Sequence, residues 1–249
     1  MTADSSDITV IDFPAMRRFY HSELEAFRSN LVLMGEKAIE QVRFSMRALI
    51  EQQPEFATRV LELDDEVDAL EKEIDNEGIR YISLRSPVAS DLRLITTGMK
   101  AGHDLERVGD EASTIAKRTL RILNTAPHPS LNRLPELGEL AVEMLRDSID
   151  CFLNEDAERA VQIPPRDGQA DAIHREIYKA YGELMAEHAD QVQVYLDLVF
   201  VAKSLERIAD HATNLAEEVV YMYRAQDLRH NDDMKRVKRA QRKEAEFGA

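Results

Sequence analysis

The feature that most constrains this 249-residue sequence is a motif that occurs twice, at an offset of 100 residues. The first copy is Leu-Glu-Arg-Val-Gly-Asp-Glu-Ala at 105–112, and the second is Leu-Glu-Arg-Ile-Ala-Asp-His-Ala at 205–212. Earlier acidic residues also match, at an offset of 103: Asp64 with Asp167, and Asp68 with Asp171. A repeat of about 100 residues means that one structural unit is present twice.

The spacing of the apolar residues indicates helices along almost the whole chain. Leu24, Phe27, Leu31 and Met34, for example, recur at steps of three and four residues, as in an amphipathic helix. Glycine and proline, which interrupt helices, number only 9 and 8, and no alternating pattern of a β-strand is present. The sequence therefore predicts an all-α fold of six long helices, at about 14–51, 54–84, 87–124, 131–160, 167–187 and 190–226.

The breaks between these helices divide the chain into two similar halves. The clearest linker is 125–132, which contains two prolines and lies between the two copies of the motif. We therefore predict two tandem three-helix bundles, the first in 1–128 after a short disordered N-terminus and the second in 129–227. Residues 228–249 are predicted to form a separate tail, in which the segment 235–243 holds six basic residues and no acidic one.

The charge and the cysteine content exclude several classes of function. The net charge of −15 opposes the binding of nucleic acid, because phosphate groups repel an acidic surface. The single cysteine, Cys151, excludes an internal disulfide and a cysteine-based zinc site. The N-terminus does not resemble a signal peptide, and no apolar run is long enough to span a membrane. We therefore expect a cytoplasmic protein without membrane insertion.

Motifs of common enzyme active sites are absent from the sequence. It contains no glycine-rich phosphate loop, no His-Glu-x-x-His motif and no nucleophile placed beside a base. The Glu-x-x-His motif of ferritin-like di-iron proteins is also absent. On this basis we do not expect an enzyme.

Each half carries two pairs of carboxylates at i, i+4 spacing, which places both members of a pair on one face of a helix. The pairs are Asp64/Asp68 and Glu106/Asp110 in the first half, and Asp167/Asp171 and Glu206/Asp210 in the second. Glu71 and His174 continue the lines on the second and fifth helices, and His103 shares the face of Glu106. Like charges at this spacing destabilise a helix, whereas facing carboxylates suit hard cations such as Mg²⁺, Mn²⁺ or ferric iron. The alternative is that these acidic faces are merely solvated.

The doubled motif, with Pro87-Val-Ala-Ser-Asp-Leu-Arg93 ahead of its first copy, resembles the PhoU family over roughly residues 15–226. Proteins of this family are two tandem three-helix bundles related by pseudo-symmetry, and they bind metal ions through Glu/Asp-x-x-x-Asp motifs. The resemblance implies ligands for Mg, Mn, Fe or Zn at Asp64, Asp68, Glu106, Asp110, Asp167, Asp171, Glu206 and Asp210. Glu71, His103 and His174 are candidates for additional ligands because of their positions beside these residues.

The resemblance also implies a function. PhoU proteins negatively regulate the phosphate regulon and phosphate uptake when phosphate is ample. They couple the phosphate ABC transporter, through its PstB-like ATPase, to a sensor histidine kinase of the PhoR type, and they commonly form homodimers. The alternatives are a metal-handling helical protein, either a buffer or a carboxylate-bridged cluster protein, unconnected to phosphate, and a helical interaction module whose acidic residues bind nothing.

Several positions in and beside the motif depart from strict repetition, among them Gly109, which becomes Ala209 in the second copy. Thr114 stands where the family has an asparagine, which is present in the second copy as Asn214. Glu71 of the first half corresponds to His174 in the second. We therefore expect the two predicted sites to differ in affinity or in the metal that they bind.

Overall fold

The computed structural model describes residues 13–125, 129–226 and 228, and every regular element within them is helical. The helices are α1 (Phe13–Glu51), α2 (Pro54–Arg85), α3 (Ala89–Leu123), α4 (Leu134–Leu153), α5 (Ala157–Ala160), α6 (Asp167–Glu187) and α7 (Val192–Arg224). Short 3-10 turns precede α6 and α7, at Pro164–Arg166 and Ala189–Gln191. The all-α prediction is confirmed. The predicted N-terminal segment 1–12 and the basic segment 235–243 lie outside the described residues.

One helix boundary differs clearly from the sequence prediction. The periodicity predicts that the fourth helix continues to residue 160, but α4 ends at Leu153. The chain turns where Glu155 adopts a φ of 56°, in the left-handed region that a continuing helix cannot use. The side chain of Asp156 then accepts a hydrogen bond from the backbone N–H of Arg159 and so caps the short helix α5.

The long helices form two bundles with a common hydrophobic core. Helices α1, α2 and α3 pack together in the first bundle, and α4, α6 and α7 pack together in the second. The largest fully buried side chains include Ile74, Ile95 and Ile115 in the first bundle and Ile177, Tyr181 and Leu198 in the second. Met34 of α1, which is also fully buried, lies on the apolar stripe that the three- and four-residue spacing predicted. None of the helices in the described ranges is long and apolar enough to cross a membrane.

The two bundles meet where α3 packs against α7, a contact that we call the seam. Several polar contacts cross it, among them Asp104 to His211 at 2.9 Å, Glu111 to Arg207 at 2.9 Å, and Arg118 to Asp197 at 2.6 Å. The residue numbers on α7 fall as those on α3 rise, so the two helices are antiparallel. An antiparallel seam between equivalent helices is what a pseudo-twofold axis between the halves produces.

A second contact between the bundles, α1 against α4, depends on two glycines at equivalent positions. A Cβ atom on Gly35 would lie 2.6 Å from Cδ1 of Ile149, and one on Gly138 would lie 2.8 Å from Cε of Met46. Gly35 and Gly138 are related by the offset of 103, and so are Met46 and Ile149. In each bundle, therefore, a side chain at an equivalent position packs against a glycine at an equivalent position of the other bundle. We call the space beside each of these glycines a glycine notch. This reciprocal contact fixes how the two halves of the repeat sit against each other.

Candidate metal centres

The first acidic cluster lies where α2 and α3 pack side by side in the first bundle. We define it by its members on the two helices: Asp64, Asp68, Glu71, His103, Glu106 and Asp110. Potential ligand atoms of Glu71, His103 and Glu106 all lie within 4.8 Å of one another. Nδ1 of His103 is 3.3 Å from Oε1 of Glu71. Two carboxylates and an imidazole at this separation can act as ligands of one metal ion.

Glu106 has the environment expected of a ligand. Its Oε2 atom is buried and accepts no hydrogen bond from the described residues, although Nε of Arg107 lies 3.5 Å away. Burial, followed by the negative charge of Asp110, raises the pKa of the Glu106 carboxyl above its usual range. Buried carboxylate oxygens are normally hydrogen-bonded or bound to a cation, so this atom is suited to a metal ion.

The backbone of α3 approaches α2 closely beside the carboxylate of Asp64. A Cβ atom on Gly109 would lie 3.4 Å from Oδ1 of Asp64 and 2.9 Å from Oε1 of Gln41. Gln41, fully buried on α1, donates a hydrogen bond of 3.0 Å from its amide to Oδ1 of Asp64. Gln41 therefore holds this carboxylate toward the motif on α3. Asp68 lies one turn further along α2 and is half-buried.

The rim of the first cluster carries a positive charge. A guanidinium nitrogen of Arg107 lies 3.3 Å from Oδ2 of Asp110, and about half of each side chain is exposed. An exposed pair of this kind contributes little to stability, because water and salt screen it. Arg107 therefore lies over the outer side of the cluster, beside Asp110 and Glu106, while Glu71, His103 and Glu106 face one another.

The second acidic cluster lies between α6 and α7, at the positions equivalent to those of the first. We define it by Asp167, Asp171, His174, Glu206 and Asp210. Asp167, at the start of α6, is buried, and its carboxyl shares a hydrogen bond with that of Asp210. Burial, and then the charges of Asp167 and Glu206, raise the pKa of Asp210 to about 7. A hydrogen bond between two carboxyl groups requires one proton, which agrees with this direction.

The neighbours of Glu206 differ from those of Glu106. The ammonium group of Lys203 forms a salt bridge with Oε2 of Glu206, whose side chain is only 11% exposed. His174 lies near Glu206 and Lys203. Burial lowers the pKa of its imidazole, so His174 is held in its neutral form. Neutral imidazole is the form that binds metals.

The ligand atoms of some residues predicted from the sequence lie closer together in the structure than those of others. Of the eight ligands that the family resemblance implies, only Glu106 belongs to the close group of three; the other two members, Glu71 and His103, were predicted as additional ligands. Sequence reasoning missed Gln41 and Lys203. Gln41 stands out as a polar residue within an apolar stripe, and Lys203 stands at the offset of 100 from His103.

The comparisons with known proteins agree with the repeated fold. The family model of the PhoU domain matches residues 31–119 and again 134–219. The phosphate-specific transport system accessory protein PhoU homolog of Pseudomonas aeruginosa is 35% identical over 212 residues, which cover 85% of this chain and 88% of that protein. The phosphate-specific transport system accessory protein PhoU of Escherichia coli K12 is 34% identical over 211 residues, covering 85% and 88%.

Two solved structures have the same architecture. The crystal structure of PhoU from Pseudomonas aeruginosa has a TM-score of 0.80 and 34% sequence identity, and the match covers 83% of this chain and all of that chain. The phosphate transport system regulatory protein PhoU from Streptococcus pneumoniae has a TM-score of 0.75 and 26% identity, covering 84% and 99%. The fold and the sequence therefore lead to the same relatives.

Proposed function

This chain belongs to the PhoU family, and from that premise we propose that it is a metal-binding adaptor of a phosphate-specific transport system. In this role it restrains phosphate uptake and represses the phosphate regulon when phosphate is ample. It acts by contact with other proteins and carries out no reaction of its own. Its partners are the PstB-like ATPase of the phosphate ABC transporter and a PhoR-like sensor histidine kinase, and it works as a cytoplasmic homodimer.

The observation that carries the metal part of this proposal is the grouping of Glu71, His103 and Glu106 within 4.8 Å. Carboxylate oxygens suit Mg²⁺ and Mn²⁺, whereas an imidazole nitrogen suits iron and zinc. The mixture of the two donor types favours Mn, Fe or Zn over Mg. Because the ligands come from both α2 and α3, a bound ion fastens these two helices together.

Electrostatics supports a stabilising role for the ion. Without a metal ion, Glu106 faces the negative charges of Asp110 on its own helix and of Glu71 on α2, both of which raise its pKa. The repulsion between Glu106 and Glu71 acts between the two helices and opposes the packing of α2 against α3. We therefore expect metal to stiffen the face that these two helices present, which is the property an adaptor needs where partner proteins bind.

A reporter of the phosphate regulon tests the regulatory proposal. We expect deletion of this gene to make alkaline phosphatase expression constitutive in phosphate-rich medium, and the wild-type gene to restore repression. The double variant His103→Ala, Glu106→Gln is expected to fail, whereas the matched control Glu73→Gln, on the exposed side of α2, restores repression. Unchanged expression in the deletion strain overturns the regulatory role. A growth defect that follows metal supply instead of phosphate supply supports metal handling.

A thermal melt tests the metal proposal in the isolated protein. At a Mn²⁺ concentration about 100 times Kd, binding adds about 2.7 kcal/mol to the free energy of unfolding. We therefore expect the midpoint to rise when Mn²⁺ is added to chelator-treated protein and to fall again with excess chelator. A midpoint that does not move under either treatment contradicts metal binding.

A further inference from the structure

The repeat places a lysine in the second half where the first half has a potential ligand. Lys203 of α7 corresponds to His103 of α3, at the offset of 100 that relates the two copies of the motif. His103 offers a ring nitrogen 3.3 Å from Glu71. A lysine ammonium has three donor hydrogens and no lone pair, so it cannot bind a metal ion. The exchange therefore removes one ligand and adds one positive charge.

The added charge lies inside the second cluster. The ammonium group of Lys203 pairs with Glu206, the counterpart of Glu106. The side chain of Glu206 is 11% exposed and that of Lys203 is 42% exposed, so the lysine reaches inward from the rim. In the first cluster the equivalent carboxylate keeps a buried oxygen without a hydrogen bond. The same position of the repeat thus has a hydrogen-bonded ammonium partner in one half, whereas in the other half the guanidinium of Arg107 lies 3.5 Å away and forms no hydrogen bond with it.

The neighbouring arginines strengthen the contrast. Arg107 stays at the rim of its own cluster, where its guanidinium lies 3.3 Å from Asp110 and 3.5 Å from Glu106. Its counterpart Arg207 points across the seam instead and pairs with Glu111 of the first bundle at 2.9 Å. Arg207 is therefore held in the contact between the bundles, and Lys203 is the cation that contacts the buried carboxylate of the second cluster.

We propose that Lys203 is a resident cation of the second cluster, and that a divalent metal ion consequently binds the first cluster at a lower concentration than the second. A metal ion entering the second cluster must displace the ammonium group from Glu206 and finds one ligand fewer when it arrives. In the first cluster the ligand atoms of Glu71, His103 and Glu106 already lie within 4.8 Å of one another, and the guanidinium of Arg107 lies 3.5 Å from Glu106 without a hydrogen bond to it. This inference rests on the proposed function, because it presupposes that the clusters bind metal.

Calorimetric titration of the full-length, metal-free protein with Mn²⁺ tests the inference. We expect a tight and a weak class of sites. Glu106→Gln should remove the tight class, and Glu206→Gln should leave it in place. Lys203→His, which gives the second cluster the residue found in the first, should tighten the weak class about tenfold or more, the usual effect of a group that tunes metal ligands.

Matched variants separate the effect of losing the positive charge of Lys203 from the effect of gaining a metal ligand at that position. Lys203→Met removes the charge at similar length, and we expect it to tighten the weak class less than Lys203→His. Lys179→His makes the same chemical change at an exposed position of α6 and should leave both classes unchanged. The reciprocal change, His103→Lys, should weaken the tight class. Circular dichroism confirms that each variant is folded.

The outcomes distinguish this inference from the proposed function. If the sites bind Mn²⁺ with equal affinity and neither Lys203 variant changes that affinity, the role of Lys203 is overturned and metal binding is left intact. A tight class that Glu206→Gln removes overturns the order of binding. Absence of bound Mn²⁺ in the wild type and in every variant overturns the metal part of the proposed function, and the inference with it.

Discussion

The two acidic clusters occupy equivalent places in the two bundles, yet they compensate their negative charge differently. In the first, Glu71 and Glu106 face the imidazole of His103, and one buried carboxylate oxygen has no hydrogen bond. In the second, burial of Asp210 and the neighbouring buried Asp167 raise the pKa of Asp210, and Lys203 pairs with Glu206. The two halves thus share the backbone fold and the acidic helix faces, whereas the groups that offset the carboxylate charges differ between the two clusters. Similarity of motif therefore does not imply equal affinity for metal.

The largest effect is expected from the seam that joins the halves. Asp197 is almost fully buried beside Arg118, whereas Glu111 pairs with the half-exposed Arg207. Removing one partner of a buried pair leaves an uncompensated charge, so Asp197→Ala should lower the free energy of unfolding by about 3 kcal/mol. Glu111→Ala should cost less than about 1 kcal/mol, because its pair is screened by solvent. Urea denaturation measures both, and equal losses contradict the account of the seam.

Alanine substitutions at the two equivalent glycines, Gly35 and Gly138, test whether the two notches tolerate an added Cβ atom equally well. A Cβ on Gly35 meets the branched Ile149, whereas one on Gly138 meets the flexible end of Met46. Overpacking costs about 1–3 kcal/mol, and alanine recovers about 1 kcal/mol of helix propensity. We therefore expect Gly35→Ala to destabilise by about 1–2 kcal/mol and Gly138→Ala to be nearly neutral.

Gly182 provides the control for that comparison. Nothing lies within 4 Å of a Cβ placed there, so Gly182→Ala should stabilise α6 by about 0.5–1 kcal/mol. Unfolding in urea ranks the three variants. If Gly138→Ala is as damaging as Gly35→Ala, the flexibility of Met46 does not relieve the contact.

The pH dependence of stability should distinguish the second cluster from the first. The pKa of Asp210 is raised from an ordinary value of 3.8 to about 7 in the folded protein. Between these values the unfolded chain loses its proton while the folded protein keeps it, so stability falls as the pH rises from about 4 to about 7. Because Asp210 is partly exposed, we expect a loss of only about 1 kcal/mol.

Asp210→Asn should remove this part of the pH dependence. The amide keeps the shape of the carboxyl group and cannot ionise. Unfolding of chelator-treated protein at several pH values gives the slope, and Asp190→Asn, in the exposed turn before α7, serves as the control. A slope for Asp210→Asn equal to that of the parent shows that Asp210 does not hold the shared proton.

The smallest expected effects have opposite signs in the two clusters. In metal-free protein, Glu106→Gln removes a carboxylate that is repelled by its neighbours and should stabilise by about 0.5 kcal/mol. Glu206→Gln breaks the pair with Lys203 and should destabilise by a similar amount, about 0.5 kcal/mol. Thermal melts with excess chelator measure the difference between the two variants. Shifts of the same sign contradict the different charge compensation of the two clusters.

Much of this molecule follows from periodicity and repetition. The stripes of apolar residues predict the helices, and the two motifs predict two bundles with acidic pairs at Glu106/Asp110 and Glu206/Asp210. The end of α4 could not be predicted, because Glu155 adopts a positive φ that its residue type gives no reason to expect. Sequence periodicity describes a single helix, so it predicts faces better than ends.

The contacts between helices were less predictable. Gln41 reaches Asp64 only because of the register of α1 against α2, which no spacing within either helix specifies. The offset of 100 identifies Lys203 as the counterpart of His103, but it does not say whether the ammonium turns inward to Glu206 or outward to solvent. The tight group of Glu71, His103 and Glu106 likewise depends on how α2 and α3 pack.

Anomalous diffraction from crystals containing Mn²⁺ tests the central claim, that the two clusters of one repeat differ in their affinity for metal. At limiting Mn²⁺ we expect a peak among Glu71, His103 and Glu106, and a much weaker one or none beside Glu206. Peaks of equal height at the two clusters, a stronger peak at the second, or no peak at either contradicts the claim.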